Sequence, residues 1–181
     1  SAIDTTAAGD AWDNGSGITA IRSSEAGNNS MLYTLPNVVD DLTVKASYSP
    51  GSAGGGSATA YHIGYAGVEG LTLDYAVGET ETIGSEQEHT TYKASYAYSS
   101  FTLSYSNTES AYDTDADGTD EEISSWNVAY TVSDDISIAY GQETIETEDA
   151  ATDEEVSKIN VSYTTGGVTL SASQFSATAV G

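Results

Sequence analysis

Few side chains in this chain are equipped for chemistry, and most of those are carboxylates. One stretch reads Asp113-Thr-Asp115-Ala-Asp117-Gly118-Thr-Asp120. It places oxygen ligands at the first, third and fifth positions of a calcium loop, then a glycine for the turn. The twelfth position, which should supply a bidentate glutamate, is Ser124. Asp113, Asp115, Asp117 and Asp120 are therefore a candidate Ca²⁺ site in which Glu121 or Glu122 would have to substitute; diffuse divalent binding is the alternative. His62 and His89 fall in different segments without a matching nucleophile pattern, and no glycine-rich phosphate loop leads from a strand into a helix. No enzyme is expected, and no cofactor other than that possible Ca²⁺. The chain has no cysteine, which excludes disulfides and thiolate metal sites.

The charge balance excludes another class of function. Twenty-eight acidic residues stand against four basic ones in 181 residues, a formal charge of −24. Nucleic acid needs clustered Lys and Arg, so it is not an expected partner. No run approaches the roughly 18–20 apolar residues of a membrane-crossing helix. No signal peptide opens the chain, which starts among polar, Gly-rich residues as a mature secreted protein or a fragment would. The 13 Tyr, set against 2 Phe, 2 Trp and 2 Pro, favour strands, because the Tyr ring is apolar while its hydroxyl seeks water.

The elements that must position these groups repeat one pattern. Period-2 segments are read at 30–35, 42–49, 58–66, 71–79, 90–99, 101–109, 124–132, 136–145, 156–164 and 168–176. Short connections (36–41, 67–70, 99–100, 133–135, 165–167) alternate with long, mostly acidic ones (50–57, 80–89, 110–123, 146–155). In an up-and-down sheet all short turns then lie at one end and all long loops at the other, the asymmetry of transmembrane barrels. The faces separate as well: Leu42, Val44, Ala46 and Tyr48 oppose Thr43, Lys45 and Ser47, and Ile159, Val161 and Tyr163 oppose Lys158, Asn160 and Ser162. Tyr65, Tyr98, Tyr130 and Tyr163 fall just before short turns on the apolar face, where an interfacial aromatic girdle requires them. The expected fold is all-β, an antiparallel up-and-down transmembrane β-barrel with about ten strands present. A soluble β-sandwich also alternates. The competing expectation is thus a calcium-stabilised adhesin or surface-layer protein.

On the barrel reading, Lys45, Lys93 and Lys158 share the polar, lumen-facing side with His62, since a lysine facing lipid near the midplane costs about 2–4 kcal/mol. The acidic loops would then form a vestibule that concentrates cations, giving a cation-preferring channel.

Residues 22–36 read R-S-S-E-A-G-N-N-S-M-L-Y-T-L-P. This segment resembles the stretch after the constriction loop of Gram-negative general porins, with Asn29, Ser30, Met31, Tyr33 and Pro36 matching and a hairpin following. The resemblance implies an outer-membrane channel for passive diffusion of small hydrophilic solutes. It implies a homotrimer embedded in the lipid bilayer with lipopolysaccharide as neighbour, and a whole barrel of about sixteen strands. It also implies that 1–28 is part of a constriction loop with its exit strand, and that 29–181 is barrel wall. Arg22 then becomes a wall arginine of the constriction, with Asp10 and Asp13 as its acidic counterparts. The ten strands, and the lack of a terminal aromatic at Val180-Gly181, suggest a fragment missing N-terminal strands and the last strand or strands.

Overall fold

A computed structural model describes residues 30–36, 39–51, 56–82, 84–113, 119–148 and 150–178. Ten strands follow one another: β1 (Met31–Thr34), β2 (Leu42–Ser49), β3 (Ala58–Val68), β4 (Leu71–Thr82), β5 (Ser85–Tyr98), β6 (Phe101–Tyr112), β7 (Glu121–Ser133), β8 (Ile136–Thr147), β9 (Glu154–Thr165) and β10 (Val168–Thr178). They form one sheet in sequence order, every neighbouring pair antiparallel. Short turns reverse the chain where a left-handed residue is available, at Asp41 and Ser99 and at Gly70, Gly166 and Gly167. Gly70 is required twice over. Its φ of 77° suits glycine, and a Cβ there would run into the Ala97 carbonyl.

One connection departs from the sequence expectation. Residues 80–89 are not a long loop, because β4 continues to Thr82 and β5 starts at Ser85. The alternation simply persists with polar side chains, Thr80 pairing with Gln87, and Glu79 and Glu81 pairing with Glu88 and Glu86. Glutamates look like loop residues, but an antiparallel partner that satisfies the backbone overrides that weak preference. The other long connections, 50–57, 113–120 and 148–153, remain at the same end as this hairpin tip.

Each strand contacts only its neighbours in sequence, so the described residues hold no second layer. A two-sheet sandwich would need one, and that alternative therefore has no physical basis here. Yet one face is buried. Ala60, Thr91, Ser110 and Ser125 are each 1% exposed, while Tyr61 between two of the buried positions is 57% exposed. Their larger neighbours on the same face close over these small side chains, as happens where a sheet curls around that face.

The concave face buries mainly polar groups, including His62, His89, Ser104, Ser106, Thr108, Asn127 and Glu143. The convex face exposes Ile63, Leu73, Leu103, Val128, Ile138, Ile159 and Val161. This inverts the order of a water-soluble protein, and so broad an exposed apolar surface needs a covering medium. Rings meet across strands on that outer face, Phe101 with Tyr130 at 4.5 Å and Trp126 with Tyr140 at 5.6 Å between centroids.

The outer face also has a measurable height. Glu122 stands eight residues from Tyr130, Glu109 eight from Phe101, and Glu155 eight from Tyr163. Eight residues at about 3.3 Å each, tilted by about 40°, separate the ring level from the glutamate level by about 20 Å. That is close to the apolar band of a membrane barrel.

Ile159 lies midway in this band and is 44% exposed. Ile159→Arg is expected to cost about 2–4 kcal/mol of folding free energy in lipid, whereas Asn160→Arg on the concave face should cost little. Urea titration of folding into vesicles, read by heat-modifiable gel mobility, distinguishes the two.

Candidate functional site

The concave face is a continuous polar wall built by period-2 alternation. Its hydroxyls bond across strand pairs: Thr91 with Thr108 at 3.0 Å, Ser95 with Ser104 at 2.9 Å, and Ser106 with Ser125 at 2.9 Å. Such pairs satisfy one another laterally.

Lys45, Lys93 and Lys158 all lie on this wall, as the alternation predicts. The register places Lys45 opposite His62, Lys93 opposite Asp74 and Ser106, and Lys158 opposite Gly141 and Phe175. The acids on the same face are Asp74, Glu121, Glu143 and Glu154. Within the strands the wall thus sets four carboxylates against three ammoniums, so it is almost balanced despite the charge of the chain as a whole. Asp74 and Glu143 had no place in the sequence reading of the wall. The signal was available, because two-residue counting from Tyr75 and from Tyr140 puts both on the polar side.

His62 and Asp74 are hydrogen-bonded across β3 and β4, Nε2 to Oδ1 at 2.9 Å. An ionised carboxylate only accepts, so Nε2 carries the proton and donates. Gly64 makes room for the contact: a Cβ at that position would sit 3.0 Å from Asp74 Oδ1 and 3.1 Å from His62 Cε1. His89 Nδ1 meets Ser110 Oγ at 2.8 Å, and Gln87 Nε2 donates to the same hydroxyl at 3.1 Å. Ser110 is 1% exposed, too enclosed for a nucleophile, and the pair ties β5 to β6.

Arg22, Asp10, Asp13, Asp115 and Asp117 lie outside the described residues. Of the candidate calcium loop, Asp113 is exposed, and Asp120 Oδ1 accepts the Tyr112 backbone N–H at 2.8 Å.

The acidic residues at the loop end divide between the two faces. Glu79, Glu81, Glu86, Glu88, Glu109, Glu122, Glu146 and Glu155 share the outer face with the tyrosines. Like charges sit directly opposite at Glu79–Glu88, Glu81–Glu86, Glu109–Glu122 and Glu122–Glu146, an arrangement that destabilises a ladder unless cations intervene. Carboxylate oxygens of Glu79, Glu81 and Glu86 lie within 4.8 Å of one another. Repulsion from Glu79 foremost, then partial desolvation and the charges of Asp113, Glu81 and Glu88, raises the Glu86 carboxyl above its ordinary range.

A raised carboxyl costs stability where it is ionised, above its folded-state value, and that cost fades as pH falls and both states bind the proton. Glu86→Gln is therefore expected to raise the melting temperature at neutral pH in low salt, with the gain disappearing below the ordinary carboxylate range. Thermal melts at both pH values check this.

A family model described as Gram-negative porin matches residues 1–178. A search of the curated proteins finds no match. Among solved structures, the chain is similar to a loop L8 deletion mutant of OmpT, an outer membrane protein of Vibrio cholerae, with a TM-score of 0.67 at 16% identity, over 82% of this chain and 56% of that one. A porin refined at 1.8 Å matches with a TM-score of 0.67 at 13% identity, over 81% and 55% of the two chains. An anion-selective porin from Comamonas acidovorans matches with a TM-score of 0.66 at 13% identity, over 76% and 44%. The chain thus spans about half the length of the structures it matches.

Proposed function

Because the chain belongs to the Gram-negative porin family, and its sheet is wall of an outer-membrane β-barrel, we propose that it forms a water-filled channel for passive diffusion of small hydrophilic solutes. The observation that carries this reading is the inside-out sheet, hydroxyl- and charge-lined on the concave face and apolar on the convex one. A barrel of about sixteen strands is wide enough to leave such a face wet. A trimer is the assembly we propose, by resemblance to general porins.

Cation preference is the selectivity we favour. Its support is a chain charge of −24 and the crowding of acids at the loop end, where seven carboxylates, the outer-face Glu109, Glu122 and Glu146 among them, line one cleft of about 360 Å³. Negative charge at a mouth enriches cations and repels anions. The described strands of the wall add one net negative charge to this.

Lipopolysaccharide is the neighbour we propose for the outer glutamate row. The row sits above the apolar band, at the height of lipid phosphates, and divalent cations bridging carboxylate to phosphate would relieve its opposed charges. Ca²⁺ at Asp113–Asp120 belongs to the same reading. Calorimetry with Ca²⁺ on the detergent-purified protein tests the loop, and no heat at millimolar metal would dismiss it.

In planar bilayers the protein is expected to give stepwise conductance and a reversal potential in a KCl gradient that favours K⁺. Lys45→Glu changes the wall by two charges, each worth about twofold in local ion concentration at about 10 Å in water, and should raise the K⁺/Cl⁻ ratio several-fold. An anion-favouring wild type would sink the selectivity, and absence of conductance the channel itself.

A further inference from the structure

The His62–Asp74 pair lies at the part of the wall where one proton has the greatest leverage. β3 packs only against β2 and β4 among the described residues. From β2, Lys45 stands directly opposite His62, with Asp41 at the turn before it; from β4 comes Asp74, and beyond it Lys93 of β5 faces Asp74. Asp41, Thr43, Lys45, His62 and Asp74 line one open cleft of about 250 Å³. The His62 side chain is 8% exposed and that of Asp74 26%, so this pair is held in the wall rather than waving in the lumen. Gly64 preserves the contact by leaving out a Cβ that would crowd both partners.

Two features give the pair a consequence for ion passage. His62 Nδ1 is buried without a hydrogen-bond partner among the described residues; with Nε2 donating to Asp74, Nδ1 is the atom free to take a second proton. The described strands of the wall carry four carboxylates against three ammoniums, so a single added charge cancels their excess. Histidine is the side chain that ordinarily changes charge between about pH 5 and 8.

We infer that His62 and Asp74 are a specificity-determining pair of the pore wall, in which proton uptake by His62 cancels the net negative charge that the described strands contribute to it. The inference rests on the channel reading above and adds a pH dependence to it. A unit charge about 10 Å from the ion path changes the local concentration of each ion about twofold, in opposite senses for cation and anion. The K⁺/Cl⁻ permeability ratio should therefore fall roughly two- to fourfold as pH drops from about 8 to about 5.5. Salt near 0.1 M already shortens the reach of such a charge to about 10 Å, so the effect should shrink in molar KCl.

The test is the reversal potential of the purified protein in planar bilayers at low salt, at both pH values, for wild type, His62→Gln, His89→Gln and Asp74→Asn. Gln at 62 can still donate to Asp74, so the fold is kept while the titration is lost. The inference expects a pH step in wild type and His89→Gln, no step in His62→Gln, and for Asp74→Asn at about pH 8 a ratio near that of wild type at about pH 5.5, since both changes remove one unit of negative excess. A step that survives in His62→Gln, or a wild type without a step, overturns the inference and leaves the channel standing. If the wild-type protein never conducts, the channel reading fails and the inference fails with it.

Discussion

Everything in this structure follows from one constraint: a backbone amide facing hydrocarbon has no water to bond. Each unsatisfied group would cost several kcal/mol, on the order expected for burying an unpaired polar group. The ladder must therefore be continuous wherever lipid touches it, and β2 through β10 pair residue by residue over most of their height, the register shifting only near two turns, between Tyr65 and Val68 and between Thr131 and Ser133. Once the backbone is committed, the side chains have two destinations. Period-2 geometry sends alternate residues to oil and to water, which is why a chain with mean hydropathy of −0.30 can belong in a membrane.

The same constraint sets where charge is tolerated. Within the apolar band the outer face carries none: Ile138 and Tyr140, or Ile159 and Val161, stand where a charge would meet lipid. Above the band the backbone pairing continues but the medium changes, and glutamates at once occupy outward positions. The β4–β5 hairpin shows this transition, passing from Leu73, Tyr75 and Val77 to Glu79 and Glu81 on one unbroken face. The strand does not end where the membrane does.

That transition also explains what could be read from the residues and what could not. Strand number, order and facing were legible because Tyr, Val and Ile alternate with Ser, Thr and Lys over most of each hairpin. The ends at the loop side were not, because Thr80–Glu81 and Glu86–Glu88 carry the composition of a loop while their backbone belongs to a ladder that only the partner strand makes favourable. Lys45, Lys93 and Lys158 could be assigned to the wall from parity alone. The His62–Asp74 contact could not, since it joins positions on two strands and depends on register, and on the missing side chain of Gly64.

Register is what turns a polar surface into a selective one. Parity alone would leave the lysines as a basic stripe on a strongly acidic protein. Pairing sets Asp74 beside Lys93 and His62, so that opposite charges meet on this part of the wall. The chain's large negative charge is thereby moved to the outer rim and the loops, where water and counter-ions screen it. A nearly neutral wall is also a sensitive one. Each proton adds the same increment of potential whatever else the wall carries, but where opposing charges almost cancel that increment equals the residual charge of the described strands and sets its sign.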